Sequence, residues 1–256
     1  MDKNRFSIMT FNIRFGLADD YANSWDIRKD CIIDTINKQS PDFLCVQEAN
    51  DFQLSFLKKN LPDYFYTGIY SYPVSGWQDI PIFYKKNCER LFTDHYFLSD
   101  TPDRKSQFKE SLWPRQAVTV LFKMHNNFLC ITNTHFDFKD NVQQKSADLI
   151  RNRLKNFNPE IPQILCGDFN SDPTGVCYHN FTCKNNEKPC FKDPFKNLQS
   201  ATFHGFSGIP HTGRIDWILY SGDIRPVSKK IIYDSADGVY PSDHFPVLVQ
   251  FSINQH

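Results

Sequence analysis

Residues 161–173 read IPQILCGDFNSDP, and the change of character inside this run decides the fold. Ile161–Gly167 is apolar on both faces of an extended chain, the pattern of a strand in a sheet covered on both sides. The run then turns polar. Gly167 permits a close backbone approach, and Asp168 and Asn170, two apart, point the same way in extended geometry. Taken alone, this ending also reads as an Asx-turn in which the two side chains hold loop amides.

The same signature recurs on both sides of that run. In Arg5–Ile13, the residues Phe6, Ile8, Thr10 and Asn12 share one face, and Met9, Phe11 and Ile13 share the other. Asp42–Gln47 is an apolar run that stops at Glu48. Pro81–Tyr84, Ala117–Met124, Phe128–His135, Ile215–Tyr220 and Phe245–Phe251 also carry strand patterns. Helical periodicity fits Asp26–Lys38, with Ile27, Cys31 and Ile32 near one stripe and Pro41 beyond its end. It also fits Phe52–Leu61 and Val142–Phe157, the latter with Leu149, Ile150 and Leu154 at core spacing. Strands outnumber helices and the helices fall mainly between strands. The expected class is α+β, a sandwich of mixed sheets with flanking helices. Gly205–Gly213 reads as a loop.

Polar residues gather where these strands end: Asn12, Glu48, His135, Asp168 with Asn170, Asp216 on Ile215–Tyr220, and Asp243 with His244 before the last strand. A sheet collects strand ends along one edge, so residues far apart in sequence meet in one cleft. Singly, each has a plain reading. Glu48 is a solvated strand end, His135 a hydrogen-bonded strand-end histidine, and Ser242–His244 a cap-like turn. Together, the carboxylates, two histidines, two asparagines and Arg115 fit a hard cation with oxygen ligands and an anionic substrate. Mg²⁺ prefers carboxylate oxygen and keeps several waters, so one Glu and one Asp suffice to hold it. The cation, His135, His244 and Arg115 would offset the repulsion that carboxylates exert on phosphate.

Composition sets bounds. A chain of 256 residues fits one domain, 1–256, with two as the alternative. The hydrophobic content of 40% and the 24 Phe argue for a globular protein and against disorder. Lys plus Arg and Asp plus Glu balance at 29 each, so strong non-specific binding of nucleic acid is not expected. The basic stretches Arg104–Lys109 and Arg225–Lys230 read as solvated surface. No apolar run approaches the ~20 residues that span a bilayer, and the N-terminal residues lack a signal-peptide pattern. A cytoplasmic location is the expectation. Cys31, Cys45, Cys130 and Cys166 read as small core residues. Cys177, His179, Cys183 and Cys190 cluster but form no CxxC pair, which counts against zinc. In so aromatic a chain, Trp77, Trp113, Phe203 and Phe206 read first as packing and second as stacking surfaces for a base or sugar.

Seven strings, in order, make the chain resemble the endonuclease/exonuclease/phosphatase superfamily. They are TFNIRFG at Thr10–Gly16, QEA at Gln47–Ala49, PRQA at Pro114–Ala117, NTHFD at Asn133–Asp137, GDFNSDP at Gly167–Pro173, RIDWILYS at Arg214–Ser221 and SDHFPV at Ser242–Val247. TFHGFSG at Thr202–Gly208 and YFLSDTP at Tyr96–Pro102 are similar to a compact bacterial-type branch. The resemblance implies four layers, two mixed β-sheets face to face with helices outside. It implies a Mg²⁺- or Mn²⁺-dependent phosphoesterase that hydrolyses a phosphomonoester or phosphodiester by in-line attack of activated water. Glu48 would be the principal metal ligand, helped by Asp243 and Asn12. Asp168 would orient or deprotonate the water, and Asn170 would hold water or phosphate. His244, oriented by Asp216, would contact a phosphoryl oxygen, and His135 would stabilise charge near the phosphate or leaving group. Arg115 and Arg14 are the substrate-binding candidates. Arg14 stands where abasic-site endonucleases carry an Asp, so that extra ligand is absent. Relatives often place Glu or Asn a few residues before the IFY string; in GWQDIPIFY at Gly76–Tyr84, Gln78 and Asp79 are the nearest polar residues. The substrate would be a phosphorylated small molecule or a nucleic acid. A repair nuclease, a lipid-phosphate hydrolase and a catalytically silent binding module are the rival readings.

Overall fold

The computed structural model describes residues 4–70, 76–182, 189–198, 200–211 and 213–253. Strand β1 (Arg5–Asn12) leads through helix α1 (Trp25–Gln39) to strand β2 (Phe43–Gln47), parallel to β1. Helix α2 (Asp51–Asn60) follows, then β3 (Tyr64–Thr67) and β4 (Ile82–Lys85). The second half repeats the device. Strands β5 (Cys88–Phe97), β6 (Gln116–Met124) and β7 (Asn127–His135) are joined by helix α3 (Asp140–Leu154) to β8 (Gln163–Asp168), parallel to β7. Helix α4 (Val176–Phe181), β9 (Asp216–Ser221), β10 (Ile224–Ile231) and β11 (Val247–Ile253) complete the order. One sheet runs β10-β11-β1-β2-β4-β3, and the other β5-β6-β7-β8-β9. Apart from the two parallel pairs, the pairings are antiparallel.

The period of two places each side chain in a layer. Phe6 and Ile8 of β1, Phe43 and Cys45 of β2, Ile131 of β7, Ile164 and Cys166 of β8 and Ile218 of β9 share the core between the sheets. Met9, Phe11, Leu44 and Val46 face the other way and pack with Ile32 and Ile36 of α1 and Leu54 and Leu57 of α2. Cys130, Leu165, Trp217 and Leu219 pack outward with Val142, Ala147, Ile150 and Leu154 of α3 and Phe181 of α4. This is the expected α+β sandwich of two mixed sheets with helices outside.

Several sequence expectations change. The buried stripe of α1 is Trp25, Arg28, Ile32, Thr35 and Ile36, while Ile27 is exposed. An arginine at a core position hid the true stripe. Strands β3, β5 and β10 carry no clean alternation because each lies at an edge with successive residues of both faces exposed along much of its length. Arg225, Lys229 and Lys230 lie on β10, so that basic stretch is a solvated surface and an ordered edge at once. Charges there discourage pairing with another chain. Cys177 lies on the buried face of α4 and packs in the core, and Cys183 lies outside the described residues.

Candidate active site

The inner faces of four strands change from apolar to polar as they approach one edge of the sandwich. In β1, Phe6 and Ile8 are followed by Thr10 and Asn12; in β2, Cys45 is followed by Gln47, and Glu48 comes next. In β7, Ile131 is followed by Asn133 and His135; in β8, Cys166 is followed by Asp168. Below the edge, Gln47 Nε2 donates to Asn133 Oδ1 at 2.7 Å and to Thr10 Oγ1 at 3.0 Å. Asn133 Nδ2 in turn donates to the carbonyls of Val46, Ile80 and Pro81. This buried network fixes one sheet against the other, so side chains contributed by both keep their spacing.

Register does the rest. His135 is the partner of Asp168 across β7 and β8, and Asp168 is the partner of Asp216 across β8 and β9. Gly167 permits this approach, since a Cβ there would meet the carbonyl oxygen of Thr134 at 2.0 Å, and its φ is +142°. Asn12 Nδ2 donates to Glu48 Oε1 at 3.1 Å and to Asp168 Oδ2 at 2.9 Å, bridging carboxylates from the two sheets. Glu48 Oε2 accepts from the amide of Phe15 at 2.6 Å. The Asx-turn is also present: Asp168 Oδ1 accepts from the amide of Asn170 at 2.9 Å. It serves the site by leaving Oδ2 to Asn12 and the cleft.

The two histidines differ in charge state. His244 Nδ1 lies 2.9 Å from Asp216 Oδ2, and its Nε2 is 3.8 Å from Asp168 Oδ2. Burial opposes a charge on His244, but Asp216, Asp168 and Asp243 outweigh it and raise its pKa well above the ordinary value. His135 is pushed well below the ordinary value by burial, with Arg115 and His244 adding to it. Arg115 NH1 is 3.0 Å from His135 Nδ1. A guanidinium only donates, so Nδ1 accepts from Arg115, while Nε2 faces the Asn170 amide nitrogen at 3.2 Å. That Nε2 is 3.5 Å from Asp168 Oδ2. Burial, and then the charge of Asp216, raises the Asp168 carboxyl above the usual range.

Backbone strain concentrates here. Among the described non-glycine residues with positive φ, Arg14, Glu48, Asn170 and Phe206 all line the cleft. The cleft has two lobes. The larger, about 930 Å³, is lined by Glu48, His135, Asp168, Asn170, Asp243, His244 and Arg14, with Phe203 and Phe206 on its wall. The smaller, about 410 Å³, shares Arg14, Glu48, His135 and Phe138 with it and adds Arg115, Trp77 and Trp113. The sequence candidates therefore converge, with two qualifications. Asn12 and Asp216 are buried behind the cleft wall and reach it through their partners. Arg14 is held by Asp20 through a paired contact of 2.9 and 2.8 Å, and lies 3.6 Å from Asp243.

Oxygen and imidazole donors of Glu48, His135 and Asp168 lie within 4.8 Å of one another, as do those of Asp168, Asp216 and His244. A set rich in carboxylate oxygen suits a hard divalent cation. Asn12 already draws two of those carboxylates together. Neither group includes Asp243, which flanks them beside Arg14.

Some positioning residues went unread in the sequence. Arg28 is fully buried and donates to the carbonyls of Ile13, Arg14, Asn23 and Pro241, which ties the end of β1 to the Ser242–His244 turn. Asp137 accepts from Ser111 Oγ and the Leu112 amide, both at 2.8 Å, and so sets the loop carrying Trp113 and Arg115. It stands inside the quoted string NTHFD, and that was its only signal. Asp79 is buried and accepts from Trp77 Nε1 at 2.9 Å and the Tyr70 amide at 3.0 Å, while Gln78 lines the smaller lobe.

Known proteins share this fold. The chain is 27% identical to an endonuclease/exonuclease/phosphatase of Bacteroides vulgatus, whose crystal structure superposes with a TM-score of 0.89 over 98% of this chain and 99% of that one. A mannosyl-6-phosphatase of Bacteroides thetaiotaomicron is 26% identical, with a TM-score of 0.88 over 97% of this chain and 100% of its own. Mouse Nocturnin is 26% identical over 262 residues, covering 91% of this chain; the chain spans 60% of Nocturnin's length. The family profile matches residues 9–244, from β1 through the histidine before the last strand, and the chain belongs to the Endonuclease/Exonuclease/phosphatase family.

Proposed function

We propose that the protein is a divalent-metal-dependent phosphoesterase that hydrolyses a phosphate ester by in-line attack of water. One observation carries the reading: Glu48, His135, Asp168 and His244, from strand ends of two sheets, meet at the floor of one cleft. Family relatives that include a mannosyl-6-phosphatase support the same chemistry.

Glu48 would hold the cation, with Asp243 on the same cleft wall as the second carboxylate; Asn12, whose Oδ1 accepts from the Arg14 amide and whose Nδ2 faces Glu48 and Asp168, orients those carboxylates and is not a ligand. When bound, the cation supplies a Lewis acid that offsets charge developing on the phosphate oxygens. The protein's own groups do the positioning. Asp168 Oδ2 orients the water and accepts its proton. Asn170, at the mouth of the same turn, holds water or a phosphate oxygen. Charged His244 donates from Nε2 to a phosphoryl oxygen, with Nδ1 fixed by Asp216. Neutral His135, with Nδ1 held by Arg115, presents Nε2 beside the reacting group. The water oxygen bonds to phosphorus as the ester P–O bond breaks with its electron pair. The departing alkoxide takes up one proton from solvent and Asp168 releases to solvent the proton it accepted, so the net products are an alcohol and a phosphate.

The test is phosphate release from a generic phosphomonoester and a generic phosphodiester by Asp168→Ala and His244→Ala. Loss of one such group should reduce turnover on the order of 10²–10³-fold. Near-normal, chelator-resistant hydrolysis by either variant would remove the assignment.

A further inference from the structure

We propose that the smaller lobe is a leaving-group subsite that selects a phosphomonoester of a ring-bearing alcohol, of hexose or nucleoside size. The inference rests on the phosphoesterase reading above and adds a direction and a substrate class to it.

The direction follows from which residues line which lobe. Arg14, Glu48, His135 and Phe138 line both, so the phosphate seat lies at their border. Asp168, Asn170 and His244 line only the larger lobe. In-line displacement puts the entering and departing oxygens on opposite sides of phosphorus. With water held at Asp168, the departing oxygen faces the smaller lobe.

Aromatic rings wall that lobe. Trp113 and Phe138 are 54% and 55% exposed, and meet edge to face at 6.2 Å. The Arg115 guanidinium carbon lies 5.5 Å from the Trp113 ring centre and 5.8 Å from that of Phe138. Trp77 is held by Asp79 and packs against Tyr70 and Phe97. Asp137 fixes the loop before Trp113. The walls are therefore set in advance, and two large rings stay exposed beside the phosphate seat. An exposed apolar patch rimmed by polar groups marks a place where something docks. A lobe of about 410 Å³ takes one small ring system and not a duplex.

Charge limits the other side. The larger lobe adds Asp20, Asp140 and Asp172 to Glu48, Asp168 and Asp243. The described lining of the smaller lobe has Glu48 as its one carboxylate, beside Arg14 and Arg115. A second phosphate continuing into the larger lobe would meet the acidic wall. The substrate thus ends at its phosphate on that side, and its organic part occupies the smaller lobe.

The experiment compares a hexose 6-phosphate, a nucleoside 5′-monophosphate, ringless glycerol 3-phosphate and a dinucleotide phosphodiester, all with Mg²⁺. At least one ring monoester should exceed glycerol 3-phosphate in kcat/KM by about tenfold, the scale of one good stacking contact. The better of the two ring monoesters identifies the source of the ring. The dinucleotide should trail that monoester by at least as much. Trp113→Ala, an exposed truncation, should abolish the preference mainly through KM, and Trp113→Leu should reduce it partly. A ring-independent wild type, an unchanged preference in both variants, or a faster dinucleotide overturns the subsite. No hydrolysis of any ester overturns the phosphoesterase reading, and the subsite falls with it.

Discussion

His244 keeps its charge through its neighbours. Asp216 Oδ2, 2.9 Å from Nδ1, is the nearest of the carboxylates that raise its pKa, and the other Asp216 oxygen is buried without a hydrogen-bond partner. The sign of a substitution follows. Asp216→Asn removes a negative charge, lowers the pKa of His244, and makes the charged donor disappear at lower pH. The alkaline limb of the rate–pH profile should move down by about 1–3 pH units, the usual effect of one close charge. An unmoved limb would mean that His244 does not act as a cationic donor. At this scale the sequence was most informative where chemistry and geometry share one residue. Gly167 was read as a point of close approach, and its missing Cβ faces the Thr134 carbonyl. Arg28 was illegible for the opposite reason. Its residue type says solvent, whereas four backbone carbonyls make it a core residue.

Two strand–helix–strand units build the site, β1–α1–β2 and β7–α3–β8, each with parallel strands. Each unit delivers its polar residues at the carboxyl ends of those strands, Asn12 with Glu48 and His135 with Asp168. The strand ends were readable because apolar periodicity stops sharply there. The face of α1 was not, and it has a second duty. Through Arg28, α1 holds the backbone on both sides of Arg14 and beside Asp243. Burial lowers the Arg28 pKa to about 10, which still leaves it charged at neutral pH. Arg28→Met should leave those carbonyls unpaired. The urea unfolding midpoint should fall by an amount equivalent to about 3 kcal/mol or more, with loss of turnover. An unchanged midpoint would contradict the clamp. Edge strands β3, β5 and β10 escaped the sequence reading because successive residues on both faces are exposed, which leaves no alternation to read.

Across the whole molecule, the mixed-sheet sandwich and the gathering of strand-end residues were legible from periodicity, and the four layers from the ordered strings, while the roles those strings imply stand as part of the proposed function. The two-lobed cleft was not legible, since Trp77, Trp113 and Arg115 come together only once Asp79 and Asp137 have set their loops. The two sheets meet through Gln47 and Asn133 just beneath the cleft, so the donors of Glu48 and Asp168 are fixed relative to each other by the sandwich itself. In the proposed reaction, hydrolysis depends on a divalent cation gripped at this junction. The most direct measurement is phosphate release by the wild type and Glu48→Gln across a Mg²⁺ or Mn²⁺ titration, with EDTA as the zero point. Wild-type turnover should vanish in EDTA and recover saturably with metal, and the Glu48→Gln curve should shift to higher metal by about 10-fold or more, the tenfold step being about 1.4 kcal/mol. Wild-type turnover that persists in EDTA, or a Glu48→Gln curve that overlays the wild type, would contradict that dependence.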